Sequence, residues 1–99
     1  ACLTGESYPE QKKALATIVA RQGSAPREIG TKMAVLSDGR IVGTIGGGCM
    51  EIRIRNQCLH MLKEENPQSR LVLEDMSGQE AEEEGLVCGG RIRVFLEVL

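Results

Sequence analysis

The sequence predicts a small α+β domain, in which about five strands form a mixed sheet with one main helix after a glycine-rich turn. An α/β arrangement is the alternative. The chain has 99 residues, which is typical of one domain, and no repeat or linker divides it. Short apolar runs bounded by glycine and proline predict the strands, and one longer stretch with apolar residues at helical spacing predicts the helix. Residues 1–99 are therefore expected to form a single domain.

The strands are predicted from apolar runs of different kinds. A near-continuous apolar run favours a strand covered on both faces, with a short buried helix as the alternative. Asp38-Gly39 between two apolar runs predicts a hairpin, and strict alternation near the end of the chain predicts a half-buried strand. In chain order, the predicted strands are Ala14–Ala20, Met33–Leu36, Ile41–Ile45, Arg70–Leu73 and Arg91–Leu99. The acidic stretch Glu74–Glu84 is predicted to be a solvated loop or an exposed helix.

The main helix is predicted from Cys49 to about Glu65, where Asn66-Pro67 ends it. Its apolar residues repeat at helical spacing and form one face, which consists of Met50, Ile54, Cys58, Met61 and Leu62. Ile52 and Leu59 fall on the opposite side. They indicate either a helix that is covered twice, by another subunit or domain, or two partly exposed aliphatic side chains.

Composition excludes several classes of function. The net charge is −2, and Tyr8 and Phe95 are the only aromatic residues, so neither a phosphate-backbone binder nor a base-stacking surface is expected. No apolar run has the length of a membrane span, and no signal segment opens the chain. The four cysteines contain no C-x-x-C pair, which favours reduced thiols in a cytoplasmic protein. His60 is the only histidine, and it lies far from the glycine loops, so hydrolase chemistry has little support.

The most informative motif is a turn of three glycines, Gly46, Gly47 and Gly48, between a predicted strand and the predicted helix. Such a turn offers backbone N–H groups to an anion at the positive end of a helix, although neither phosphate-binding glycine fingerprint is present. The alternative is a tight turn without a ligand. Cys49 follows the turn, where the helix dipole favours a thiolate that binds a soft metal, accepts sulfur or acts as a nucleophile.

Two further loops contain candidate binding residues. Pro26 restricts the residue before it, so Ser24 and Arg27 are held in a rigid frame, and Arg27 has the planar fork that suits a phosphate or carboxylate. A solvated arginine is the equal alternative. A second cysteine stands in a second glycine-rich loop, Cys88-Gly89-Gly90, so a two-thiol site forms if the loops converge. The alternative for that loop is a structural turn.

These three loops, in this order and spacing, resemble the N-terminal domain of the XdhC/CoxI family. The matching motifs are Gly23–Arg27 with Gly30–Met33, Gly46–Glu51 and Gly85–Arg91, together with the hairpin Leu36–Gly43 and the ending Val94–Glu97. The resemblance covers roughly residues 14–97. Two departures stand out: the Rossmann-like domain that usually follows in the family is absent after Leu99, and Gly46 stands where the family often has serine.

The resemblance implies an accessory protein for a molybdenum hydroxylase such as xanthine dehydrogenase, and not an enzyme. Such a protein binds the molybdenum cofactor (molybdopterin) transiently, assists its sulfuration with a cysteine desulfurase, and delivers it to the apo-enzyme. Carried over by motif, Cys49 and Gly46–Gly48 are the first candidates for the cofactor site, with Cys49 also the candidate metal ligand. Ser24, Arg27 and Cys88-Gly89-Gly90 come next. A separate Rossmann-like subunit and a homodimer are further expected partners.

Two functions of other classes stay open at this stage. One is a metal or redox module that uses Cys49 and Cys88 without pterin. The other is a structural dimerisation domain that supports a Rossmann protein through Ile52 and Leu59.

Overall fold

A computed structural model describes residues 12–23, 25, 27–75 and 90–99 of the chain. These residues form β1 (Lys13–Gln22), β2 (Lys32–Leu36), β3 (Ile41–Gly43), α1 (Gly48–Lys63), β4 (Arg70–Asp75) and β5 (Arg91–Val98). The strand order across the sheet is β3-β2-β1-β5-β4, and every pairing is antiparallel. The α+β prediction is confirmed, with an antiparallel sheet in place of the mixed sheet that was expected.

The hydrophobic core lies between α1 and one face of the sheet. All five residues of the predicted apolar face of α1 are buried. They pack on inward-facing residues of the strands, where Ala16 pairs with Leu96 and Ile18 with Val94. Each fully buried aliphatic side chain stabilises the fold by roughly 1.5–3 kcal/mol. The core therefore fixes the position of the N-terminus of α1 relative to the sheet.

In the part of the chain that the structure describes, β1 is fully buried on one face and only half-buried on the other, so the prediction of a strand covered on both faces is wrong. Ala16 and Ile18 are fully buried, whereas Val19 is 43% exposed. Among the described residues, α1 alone forms the second layer, and it covers one side of the sheet. The register of β1 against β5 shifts between Ile18 and Ala20, which places Val19 in a β-bulge.

The predicted hairpin is confirmed between β2 and β3. The Gly39 N–H donates to the Leu36 carbonyl at 2.9 Å, and Gly39 has a φ of 94°. β3 ends at Gly43, two residues before the predicted end. Gly43 has a φ of 89°, and a Cβ there would lie 2.8 Å from the carbonyl oxygen of Lys32. This backbone conformation requires glycine and turns the chain out of the strand.

β4 is longer than predicted, because it continues through Glu74 and Asp75. Glu74 is buried, and the Arg53 side chain of α1 donates to its carboxylate from Nε at 3.1 Å and from Nη2 at 3.0 Å. An acidic residue was expected in a solvated segment, but this ion pair compensates its burial. Residues 76–84 of that segment lie outside the described residues.

The antiparallel registers bring three connections to one end of the sheet. Met33 pairs with Gly43, so β3 ends where β2 begins. Lys32 pairs with Thr17, and β1 continues five residues further in that direction, to Gln22. Arg91 pairs with both Gln22 and Asp75, so β4 ends and β5 begins at that same end. We call it the loop end of the sheet: it bears segments 23–31 and 44–47, the start of α1, and the two residues that flank segment 76–90.

Candidate functional site

The glycine turn at the loop end has a backbone that only glycine adopts readily. Gly46, Gly47 and Gly48 have φ values of 137°, 80° and 70°, and α1 begins at Gly48 without a side-chain cap. The side chain of Ile45 is fully buried and anchors the turn to the core. A Cβ added at Gly47 would meet nothing within 4 Å. The outer side of the turn is therefore open to a ligand.

Glu51, in the first turn of α1, holds the glycine turn from within. Its Oε1 accepts hydrogen bonds from the backbone N–H groups of Ile45 and Gly47, both at 3.1 Å, and from the Thr44 hydroxyl. The Thr44 hydroxyl oxygen accepts in turn from the Gly46 N–H at 3.0 Å. The turn and the helix start thus form one hydrogen-bonded unit.

These hydrogen bonds occupy the N–H groups of Gly46 and Gly47, two of the three glycines that were expected to offer N–H groups to an anion. The N–H groups of Ile45, Gly46 and Gly47 already donate to side chains of the protein. The Glu51 carboxylate occupies the position that a bound anion would take, at the positive end of α1. A phosphate at these three groups would have to displace that carboxylate.

The Glu51 carboxyl stays ionised more readily than usual. Partial burial raises the pKa of Glu51, but the hydrogen bonds from Thr44 and from the two backbone N–H groups lower it, as does the nearby charge of Arg27. The net result is a pKa below the ordinary value of 4.5. The effect of Arg27 also shows that segment 23–31 brings this exposed guanidinium within electrostatic reach of the glycine turn.

The two described cysteines of α1 have opposite environments. Cys49, the second residue of α1, is exposed at the loop end, whereas Cys58 is fully buried in the core. Burial raises the pKa of the Cys58 thiol to about 11, so Cys58 is a packing residue, as its place on the apolar face predicts. Cys49 has the position that metal binding, sulfur transfer or nucleophilic attack requires.

The other predicted site residues are placed only in part. Arg27 lies at the loop end, and Gly90 is buried immediately before β5 at the same end. Ser24, Cys88 and Gly89 lie outside the described residues, so the convergence of Cys49 with Cys88 stays a prediction. The two residues of the expected second apolar strip of α1 have different environments. Leu59 packs against the core, whereas Ile52 is 51% exposed.

Sequence reasoning missed how Arg21, Thr44 and Glu51 act at the loop end. No role in the turn was predicted for Glu51 from the sequence, whereas its carboxylate organises the turn. A glutamate in the first helical turn after glycines was the available signal, because such a side chain commonly reaches back to backbone donors. Arg21 fastens segment 23–31 by donating from Nη2 to the Ala25 carbonyl at 3.1 Å and by pairing with Glu28 at 3.0 Å.

The described residues contain no group of three or more histidine, cysteine or acidic side chains that could hold a metal ion. Among the described residues, α1 is too short and too polar to cross a membrane.

Comparison with known proteins identifies the family. Residues 9–74 match the XdhC and CoxI family. The chain is 42% identical over 85 residues to the uncharacterized protein YqeB of Escherichia coli (strain K12), covering 86% of this chain. It is 40% identical over 48 residues, or 48% of this chain, to the molybdenum cofactor insertion chaperone PaoD of the same organism. The chain spans 15% of the length of each of these relatives.

A solved structure shows the same fold. A crystal structure described as that of a xanthine dehydrogenase from Bacillus halodurans superposes with a TM-score of 0.74 and 31% sequence identity, over 93% of this chain and 27% of that one. The fold is that of a domain within a longer protein, of which this chain covers 27%. The chain belongs to the XdhC and CoxI family.

Proposed function

We propose that this chain forms the part of a molybdenum-hydroxylase accessory protein that receives the molybdenum cofactor as cargo at the loop end of the sheet. The accessory protein assists sulfuration of the cofactor with a cysteine desulfurase and delivers it to the apo-hydroxylase in the cytoplasm. It is not itself an enzyme. Membership of the family and the similarity to PaoD support this role.

The observation that contributes most is the exposure of Cys49 at the first turn of α1, beside an open glycine turn. A thiol is a soft donor, which suits molybdenum and its sulfur ligands. The positive end of the helix dipole stabilises a thiolate at this position. The described residues therefore fit the metal and sulfur part of the cargo.

Each residue of the site has a distinct part in this proposal. Cys49 contacts the metal or its sulfur, and the glycines allow the ligand to approach the main chain closely. Glu51 keeps the turn in its open shape through its hydrogen bonds to the backbone. Arg27 adds a positive charge next to the site, which favours an anionic cargo.

The test is anaerobic incubation of the purified chain with molybdenum cofactor, followed by gel filtration and assays of molybdenum and pterin in the protein peak. We expect near-stoichiometric co-elution with the wild type and a loss of roughly ten-fold or more in occupancy for Cys49→Ser. Cys2→Ser is the matched control, because it removes a thiol outside all three glycine loops. It should bind as the wild type does.

Other outcomes would contradict the proposal in distinct ways. Absence of molybdenum and pterin from the peak of folded wild type would overturn cofactor binding by this chain. Equal binding by Cys49→Ser would remove Cys49 from the site. Formation of a reversible Cys49–Cys88 disulfide under mild oxidant, without pterin binding, would favour the thiol redox alternative.

A further inference from the structure

A depression at the loop end is lined by three arginines. Its volume is about 250 Å³, and it lies where the end of β1 meets the start of β5 and the edge strand β4. The lining residues are Ala20, Arg21, Gln22, Leu73, Arg91, Ile92 and Arg93. Ile92 and Val94 of β5 face α1, so the intervening Arg93 and the depression beside it lie on the other face of the sheet.

Two of these arginines are already paired. Arg21 contacts Glu28 at 3.0 Å, and the Arg91 Nε lies 3.2 Å from the Asp75 carboxylate. Arg93 is exposed, and its side chain has no ion-pair or hydrogen-bond partner among residues 12–23, 25, 27–75 and 90–99. Within the described part of the chain, the lining therefore contains one guanidinium without a partner, Arg93, between two arginines that are held in ion pairs.

The register explains why the site is open above Arg93. Arg93 lies between Ala20 on β1 and Leu73 on β4, and the small side chain of Ala20 leaves space beside it. Ile92, which is 1% exposed, fixes the backbone of β5 against the core. Arginine presents several N–H donors in a planar fork, which matches the oxygens of a phosphate group.

We propose that this depression binds a phosphate-type oxyanion, with Arg93 as its main contact. The assignment of that oxyanion to the phosphate of the pterin cargo rests on the proposed function. The glycine turn is a poorer site for it, because Glu51 and Thr44 already accept the N–H groups of Ile45, Gly46 and Gly47.

The first experiment uses inorganic phosphate alone, so that it does not depend on the cofactor. Phosphate is titrated into the ¹⁵N-labelled chain at constant ionic strength, and the arginine Nε–H and backbone N–H signals are followed by NMR. We expect saturable shifts at Arg93, Ile92 and Leu73, and at least a roughly ten-fold weaker response in Arg93→Gln. Arg93→Lys should recover only part of the binding, because lysine lacks the fork.

The matched control is Arg40→Gln, which makes the same change in net charge at the opposite end of the sheet, where Arg40 pairs with Asp38. It should leave the titration unchanged. Equal weakening by both variants would show non-specific charge attraction and overturn the site. Saturable shifts confined to Gly46–Gly48 would move the oxyanion to the glycine turn and also overturn it.

The second experiment repeats the cofactor gel filtration with Arg93→Gln. If phosphate binds at Arg93 and this variant also retains less cofactor, the depression receives the cargo's phosphate. Unchanged cofactor retention, with phosphate binding lost, would leave the proposed function standing and overturn the assignment to the cargo. If the wild type binds no cofactor, the proposed function is contradicted. The phosphate titration then decides by itself whether the depression binds an oxyanion.

Discussion

The Thr44 hydroxyl donates to the carboxylate of Glu51, which lies seven residues further along the chain and across the glycine turn. The same carboxylate oxygen accepts the N–H groups of Ile45 and Gly47. One side chain of α1 thereby fixes the path of the backbone between β3 and the helix. This relationship makes Glu51 the residue on which the shape of the candidate site depends.

Removal of the Glu51 carboxylate should destabilise the fold. Glu51→Ala leaves the N–H groups of Ile45 and Gly47 without their acceptor, and we expect a loss of about 1–3 kcal/mol in the free energy of unfolding. Glu51→Gln retains an acceptor oxygen and should lose less. Urea denaturation of the three proteins measures the difference. Equal stabilities for Glu51→Ala and the wild type would show that the turn keeps its shape without these bonds.

The contribution of Glu51 should depend on pH in a defined direction. Because its pKa is lower in the folded chain than in the unfolded chain, its stabilisation is complete above about pH 4.5 and is lost as the pH falls through the folded-state pKa. The stability difference between the wild type and Glu51→Gln should therefore shrink below pH 4.5. Thermal unfolding from pH 3 to pH 7 tests this. A difference that grows on acidification would mean that the pKa is raised.

Gly43→Ala should lower the free energy of unfolding more than Gly39→Ala, although both glycines have a positive φ. A Cβ at Gly43 would lie 2.8 Å from the Lys32 carbonyl oxygen, whereas at Gly39 it would meet nothing within 4 Å. The left-handed backbone alone costs about 1 kcal/mol or more for alanine, and the clash at Gly43 adds to it. Urea midpoints of Gly43→Ala and Gly39→Ala provide the comparison. Equal losses would show that the strand edge relaxes around the added atom.

The two cysteines of α1 should react at very different rates. Cys49 is exposed, whereas the buried Cys58 has a thiol pKa of about 11 and is therefore protonated at neutral pH. We expect iodoacetamide to label Cys49 in the native protein, and Cys58 only after addition of denaturant. Mass spectrometry of the peptides separates the two sites. Native labelling of Cys58 at a comparable rate would indicate that α1 opens readily from the sheet.

Much of the fold could be predicted from local patterns. The five-residue apolar face of α1 is buried as its spacing indicates, and Asp38-Gly39 forms the predicted hairpin. The prediction for β1 failed because an apolar run does not reveal whether one layer or two will cover the strand. The prediction for Glu74 failed because its partner, Arg53, is twenty-one residues away. Neither the layers that cover β1 nor the partner of Glu74 can be predicted from the neighbouring residues in the sequence.

By itself, the sequence determined the strands, the helix, the glycine turn before Cys49 and the family, because these depend on short-range patterns and on motifs in a fixed order. Only the tertiary structure decided that the loops after β1 and β3 meet at one end of the sheet, because strand register sets which connections are neighbours. It also decided that Glu51 occupies the N–H groups of the turn and that Arg93 is unpaired among the described residues. Those are contacts in space, and a linear pattern of residue types contains no distances.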